Sequence, residues 1–312
     1  MDTVRLGRTN LKVSVAGLGC GGHSRLGMRT GHDEAHATRV VEHALESGIN
    51  FIDTAHAYGT EPSVGKALRG KRDGIIVSTK VSARHGDELT SAAQLTESLE
   101  LSLNSLESDY VDIFHLHGVA LNQYPHCRDV LLPEMRRQQQ AGKIRFLGIT
   151  ENFARDPSHL MLQTVLPDDQ FDVAMVGFNM LNPSARTTVF PLTRQRDIAM
   201  LNMFAVRRAL SQPDVLAELI EGLVANGVVD ATEVDLDDPL AFTRDHERGS
   251  SVIDAAYRYC RHEPGADVVL IGTGSTTHLD DNINAILAPP LPDDVVSRLH
   301  RIFGDVDSIS GN

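Results

Sequence analysis

Residues 75–117 read IIVSTKVSARHGDELTSAAQLTESLELSLNSLESDYVDIFHLH, and their order decides the fold class. The runs 75–80 and 111–117 are short, apolar and rich in Ile, Val and Leu, the composition of strands buried on both faces. Between them Leu95, Leu99, Leu103 and Leu106 recur at helical spacing, and Ser91 with Gln94 offers a capping box. Strand, helix and strand in this order make a parallel pair joined by a right-handed crossover. The same unit repeats outward in both directions. Further apolar runs at 15–19, 50–53, 145–150, 173–178, 198–203 and 268–272 bring the candidate buried strands to eight. Asp33 can cap a helix with Val40, Val41, Ala44 and Leu45 on one face that ends near Gly48. Ser211-Gln212-Pro213 starts another, with Leu216, Leu219, Ile220 and Leu223 facing inward and Gly227 as the stop. Ser275 can cap a last crossover helix carrying Leu279, Ile283 and Ile286.

Eight such units in one chain favour an α/β fold of the closed (β/α)8 kind, a TIM barrel, over a doubly wound open sheet. A dinucleotide-binding open sheet would also need G-x-G-x-x-G between a strand and a helix; Gly17-Leu18-Gly19-Cys20-Gly21-Gly22 lacks that pattern. Ahead of the barrel, Val4/Leu6 and Leu11/Val13 alternate around the turn-forming residues 7–10 and read as an N-terminal β-hairpin. The expected organisation is one barrel domain over 1–312, with a long loop or helical insertion at 204–267 after the seventh strand. The insertion holds Asp230, Glu233, Asp235, Asp237 and Asp238, without the residue order of a calcium loop. A long loop on a barrel usually serves the ligand site, and a solvated surface insertion is the alternative reading of equal weight.

Composition narrows the function. With 312 residues, 41% hydrophobic, the chain can bury one large core. A net charge of -13 repels nucleic-acid backbones and anionic lipid, so neither is an expected partner. Cys20, Cys127 and Cys260 are an odd count at wide spacing and read as reduced thiols; no zinc spacing is present. The first residues lack the apolar stretch of a signal peptide and no run approaches a membrane span, so a soluble, cytoplasmic protein is expected.

Barrel enzymes carry their reactive groups at the C-terminal ends of the strands. Three runs end in such a group: Asp53 after Phe51-Ile52, Lys80 after Ser78-Thr79, and His117 after His115-Leu116. Tyr58 follows five residues after Asp53, on the next loop. Singly each has an ordinary explanation as a cap or a solvated edge. Converging on one barrel mouth they form an acid–base assembly. A tyrosine titrates near about 10, too high for proton donation and recovery near neutrality, and an adjacent ammonium lowers it. Lys80 is placed to supply that charge and Asp53 to hold Lys80 charged.

At these residues the sequence resembles the aldo-keto reductase family, from about residue 4 to 284. The strongest segment is Phe51-Ile52-Asp53-Thr54-Ala55-His56-Ala57-Tyr58-Gly59 with Gly65-Lys66-Ala67-Leu68. Ser78-Thr79-Lys80, the Asp109-Tyr110-Val111-Asp112-Ile113 strand running to His117, and Gly142-Lys143-Ile144-Arg145-Phe146-Leu147-Gly148-Ile149-Thr150 follow in the family's order. The resemblance implies a catalytic tetrad of Asp53, Tyr58, Lys80 and His117 and reduction of an aldehyde or ketone by a nicotinamide cofactor. Tyr58 would act as general acid, and His117 would orient the carbonyl. His115 then reads as a packed residue and His56 as lining the mouth.

The implied cofactor positions fit less cleanly. They are Gly21 and Gly22 in the first loop, Asp53, Thr150, Met175, Met203, Phe204, Ala205 and Arg207, and Gly272, Gly274, His278, Asp281 and Asn282 in the last segment. Thr150-Glu151 stand where the family commonly has Ser-Asn, and Met175 where it has Gln. Met203 or Phe204 replaces the ring that stacks on nicotinamide. The last segment lacks the usual Lys or Arg and offers Ser275, a helix N-terminus and His278 to a phosphate, with Arg207 and Arg208 as charge from the other side. NADP(H) is the expected cofactor, with NAD(H) as the alternative. The expected substrate is a small carbonyl compound, or a sugar oxidised in the reverse direction. His23, Met28, Val119, Leu121, Tyr124 and the stretch near Asp235 would line its pocket. The chain has no Trp to build an aromatic wall. Cys20, ending the first barrel strand, reads as a packing residue, with a reactive thiol as the alternative. Two other readings compete. One is a nicotinamide-binding regulatory protein of the same fold with little turnover. The other takes His115-Leu116-His117 as the H-x-H of a metal-dependent barrel hydrolase, which the later strand ends supply with no further His or Asp.

Overall fold

The computed structural model describes residues 1–245 and 249–312. The chain opens with the antiparallel hairpin β1 (Thr3–Leu6) and β2 (Leu11–Ser14). Then come the first three barrel strands, β3 (Ala16–Gly19), β4 (Phe51–Asp53) and β5 (Ile76–Ser82). A two-residue-per-strand hairpin, β6 (Arg84–His85) and β7 (Glu88–Leu89), extends β5 above the mouth. The remaining barrel strands are β8 (Val111–Val119), β9 (Ile144–Glu151), β10 (Val173–Gly177), β11 (Ala199–Met203) and β12 (Val268–Ile271). Every barrel pairing is parallel and β12 pairs back to β3, so the sheet closes without an edge. All eight runs read from the sequence are these eight strands.

The helix signals carry over as well. Asp33 accepts the His36 N–H at the start of Glu34–Glu46, and Ser275 accepts the His278 N–H at the start of Thr276–Leu287. Ser91 and Gln94 form the reciprocal capping box of Ala92–Leu106, which buries Leu95, Leu99, Leu103 and Leu106. Each of those leucines contributes about 1.5–3 kcal/mol by leaving water. The helix Pro213–Ala225 begins on its proline, with Gln212 rather than Ser211 at the cap and no side-chain hydrogen bond there. The segment 204–267 carries several helices among its described residues. Besides Pro213–Ala225 it holds Val252–Arg261, which buries Tyr257, Tyr259 and Cys260. Four of the acids singled out there are engaged locally: Asp230 accepts the Thr232 N–H, Asp235 the Asp237 N–H, Asp238 pairs with Arg244, and Glu233 pairs with Arg301.

Inside the barrel the lower layers are apolar. Phe51, Ile76, Ile113, Val173, Ala199 and Val268 meet Leu6 and Val13 of the hairpin, which plugs the N-terminal end. Gly7 makes that plug fit: a Cβ there would stand 2.5 Å from the Ala199 nitrogen, and its φ is +44°. Asp112, on the outward face of β8, accepts the Val77 N–H at 2.9 Å and Arg72 at 2.7 Å, tying β8 to β5. Among the described residues no helix is long and apolar enough to cross a membrane.

Candidate active site

Strand alternation sends every second side chain into the barrel, and the inward series turns from apolar to polar as it rises: Ile76, Ser78, Lys80 on β5 and Ile113, His115, His117 on β8. At the top of β5, Lys80 is 1% exposed and its Nζ donates to both Asp53 oxygens and to the Thr54 carbonyl, each at 2.7 Å. All three ammonium protons are thereby accepted. Ser78 Oγ donates to Asp53 Oδ1 at 2.9 Å, so the carboxylate is also braced from below. Burial penalises the ammonium, but the charge and hydrogen bonds of Asp53, with Tyr58 beside it, outweigh that and hold the Lys80 pKa above its ordinary value.

Tyr58 ends the short turn His56–Tyr58. The turn is held by the buried Glu61, which accepts Thr79 Oγ1 at 2.7 Å and faces His56 Nδ1 at 3.3 Å. Tyr58 Oη stands 3.3 Å from His117 Nε2, the two rings meeting edge to face at 5.7 Å. Lys80 Nζ lies 5.2 Å from the Tyr58 ring centre. Gly21 supplies the socket, since a Cβ there would come within 2.6 Å of the Tyr58 ring. The direction of the Tyr58 pKa differs from the sequence-based expectation. Burial raises it, and Lys80 pulls down without reversing the sign, so the phenol keeps its proton at neutral pH. For His117, burial and then Lys80 both act downward and push the pKa to about 3, leaving a neutral imidazole.

Two neighbours stay out of this group. His115 is fully buried and lies over Gly148, where a Cβ would meet its Nδ1 at 2.1 Å; burial, with Lys80 and His117, keeps it neutral. Cys20 is buried, and burial next to Asp53 raises its pKa far beyond the range in which it would ionise, so it is a packed thiol.

The opposite side of the mouth differs in character. Thr150 Oγ1 accepts the Gly118 N–H at 2.7 Å, leaving its own hydroxyl proton to donate. Glu151 is turned into the protein: its carboxylate meets His159 Nδ1 at 2.9 and 3.0 Å and accepts the Gly177 N–H at 2.7 Å. Burial raises the Glu151 carboxyl against the pull of His159. The Phe153 ring stacks on His159 at 5.4 Å and on Phe204 at 6.3 Å, and the Arg207 guanidinium caps the column 4.0 Å above Phe204. Phe204 adopts φ +67°, a left-handed backbone that is strained for a bulky residue. Met175 is buried in the interior, Met203 is half-buried at the end of β11, and Ala205 is buried behind them. Gly22 faces open space, a Cβ at Gly272 would stand 3.8 Å from the Gly19 carbonyl oxygen, and Gly274 packs against the backbone of Gly27. His278 and Asp281 are exposed and Asn282 half-buried along the first turns of Thr276–Leu287.

Sequence reasoning missed Ser78, Glu61 and the Glu151–His159 pair. Of the residues it assigned to a substrate pocket, Leu121 lines a cavity beside β8, Val119 is buried, and Tyr124 donates to Asp168 at 2.9 Å. Among the described residues no cluster of three or more His, Cys, Asp or Glu is arranged to hold a metal ion.

Arg207 is half-buried, burial lowers its pKa, and no carboxylate among the described residues pairs with it; its guanidinium lies over the Phe204 ring. The profile of the Aldo/keto reductase family matches residues 17–303. The chain is 29% identical to the aldo-keto reductase YhdN of Bacillus subtilis, over 95% of this chain and 96% of that one. It is 26% identical to L-galactose dehydrogenase of Arabidopsis thaliana, over 90% and 86%. Among solved structures, the holo form of aldo-keto reductase AKR11C1 from Bacillus halodurans superposes with a TM-score of 0.73 at 26% identity, covering 96% of each chain. The chain belongs to the aldo/keto reductase family, as an oxidoreductase of its nicotinamide-dependent kind.

Proposed function

We propose that this protein reduces an aldehyde or ketone to an alcohol, or runs in reverse on a sugar, with Tyr58 as general acid and base. One observation carries the reading: a protonated phenol 3.3 Å from a neutral imidazole, beside an ammonium that Asp53 holds charged. A carbonyl oxygen between Tyr58 Oη and His117 Nε2 meets two groups able to donate to it, the imidazole in its Nε2–H tautomer. A reduced nicotinamide, when bound, would supply a hydride, one proton with two electrons, to the carbonyl carbon. As negative charge grows on oxygen, Tyr58 passes its proton there, and the phenolate left behind faces the Lys80 ammonium. His117 orients the carbonyl without competing for the proton. Asp53 and Ser78 act through Lys80 and are positioning residues.

NADP(H) is the cofactor we assign. Arg207, the donor hydroxyl of Thr150 and the Ser275-capped helix start are the groups to hold it, and Met203 with Phe204 flank the reacting ring. The last segment's want of Lys and Arg keeps NAD(H) as the alternative, decided by measuring the affinity of both. The test of function is oxidation of reduced cofactor with a panel of aldehydes, dicarbonyls and quinones, wild type against Tyr58→Phe. Turnover lost in the variant with cofactor affinity retained is the expected result; unchanged turnover removes Tyr58 from the chemistry. The regulatory reading has one observation in its favour, the inward turn of Glu151. Cofactor binding without turnover in either direction would select it.

A further inference from the structure

A cavity of about 410 Å³ opens beside the catalytic group. Ser82 and Gly118 form its floor; Ser82 is the register partner of His117, and Gly118 follows His117 in the chain. Its walls carry two arginines. Arg84 sits on the β6–β7 hairpin, where its N–H donates to Ser82 Oγ at 3.2 Å and its guanidinium donates to the Asp87 carbonyl. Arg155 follows Asn152, whose carbonyl accepts the Arg155 N–H at 2.9 Å. Neither guanidinium pairs with a carboxylate among the described residues. The one acid in the wall, Asp156, has both oxygens committed to the Leu160 and Met161 N–H groups at 2.9 and 2.8 Å.

In a chain of net charge -13, two unpaired guanidiniums beside the reacting centre are a local reversal of sign. Hydrogen bonds from guanidinium to carboxylate or phosphate are charge-assisted and directional, and a cleft wall of one sign concentrates the opposite ion. We infer that Arg84 and Arg155 are specificity-determining residues that select carbonyl substrates bearing an anionic group, a carboxylate or a phosphate, several bonds away from the carbonyl. This rests on the reductase reading, with the carbonyl between Tyr58 and His117 and the anion in the Arg84/Arg155 cavity.

The test compares matched pairs, 4-carboxybenzaldehyde against benzaldehyde and glyceraldehyde 3-phosphate against glyceraldehyde, in wild type and in Arg84→Ala/Arg155→Ala. The expected result is a preference of about tenfold or more in kcat/KM for at least one anionic member, expressed mainly in KM, weakened by salt and lost in the double variant. Which pair shows it separates carboxylate from phosphate. Neutral aldehydes should turn over equally in both proteins. No anionic preference in wild type, or one that survives the double substitution, overturns the inference and leaves the reductase reading standing. Calorimetric binding of 4-carboxybenzaldehyde to the two proteins gives a readout independent of turnover. Arginine-dependent binding without reduction of any aldehyde would sink the reductase reading instead, and absence of arginine-dependent binding counts against the anion site.

Discussion

The two sides of the barrel mouth are built on different terms. At β4, β5 and β8 the polar groups answer one another: Asp53, Ser78, Lys80, Tyr58 and His117 form one connected set. From β9 round to β12 they divide into groups closed off inside the protein, such as Glu151 with His159, and groups without an ion-pair partner among the described residues, such as Arg207, which rests on the Phe204 ring. A buried charge is stable where its partner is covalently part of the fold, and a half-exposed one can wait for a partner that comes and goes.

The largest expected effect that sharpens this contrast is in the connected set. Lys80→Met leaves Asp53 buried without its counter-charge, a loss of about 3–5 kcal/mol, and lowers turnover by about 10²-fold or more. Denaturant midpoints and steady-state rates measure the two, and a variant as stable as wild type would break the claim that these groups depend on one another. Next comes Glu151→Gln, which weakens the buried pair with His159. About 1–3 kcal/mol of stability should go, while turnover under saturating cofactor stays near wild type. A rate collapse there would make Glu151 part of the chemistry. For Arg207→Leu the expectation is about tenfold weaker cofactor binding, near 1.4 kcal/mol, with stability unchanged. Fluorescence titration of reduced cofactor would show it, and equal affinities would mean that Arg207 meets no ligand.

The effect that vanishes at neutral pH grows as the solution is acidified. The folded state keeps His117 neutral down to about 3, whereas an unfolded histidine takes a proton near about 6.5. Between those values the unfolded chain binds the extra proton, so stability falls as pH falls, by up to about 1.4 kcal/mol per pH unit for one histidine, and is flat above the unfolded pKa. His115 acts in the same direction. His117→Asn should therefore flatten acid denaturation. In wild type, kcat/KM should show no His117 ionisation between about pH 5 and 8.

Asp53, Lys80 and His117 were legible in the sequence because each ends an apolar run, and the ends of parallel strands come to one face whatever the rest of the chain does; Tyr58 was legible on the loop after Asp53, and Ser78, inside its run, was not. Strand positions followed from composition, and the Ser91–Gln94 box from residues three apart. What escaped is pairing across register. Glu61 reaches Thr79 from a different crossover, and Glu151 meets His159 only because the chain folds back after β9. No periodicity encodes either. The Tyr58 pKa was misjudged for a related reason: the charge beside it could be named from sequence, but the depth of burial that outweighs that charge could not. The local bonds of the acids in 204–267 were hidden likewise, because a sequence shows their charge and not the backbone N–H groups and arginines they face.

The ring column from His159 through Phe153 and Phe204 to Arg207 has a spectroscopic consequence. Because the chain contains no Trp, its ultraviolet emission comes from tyrosine alone. Phe204→Trp would place the molecule's sole indole beneath a cation and beside the ligand side of the mouth. Excited beyond the tyrosine absorption band, its emission would then report changes at that side without interference from the five tyrosines.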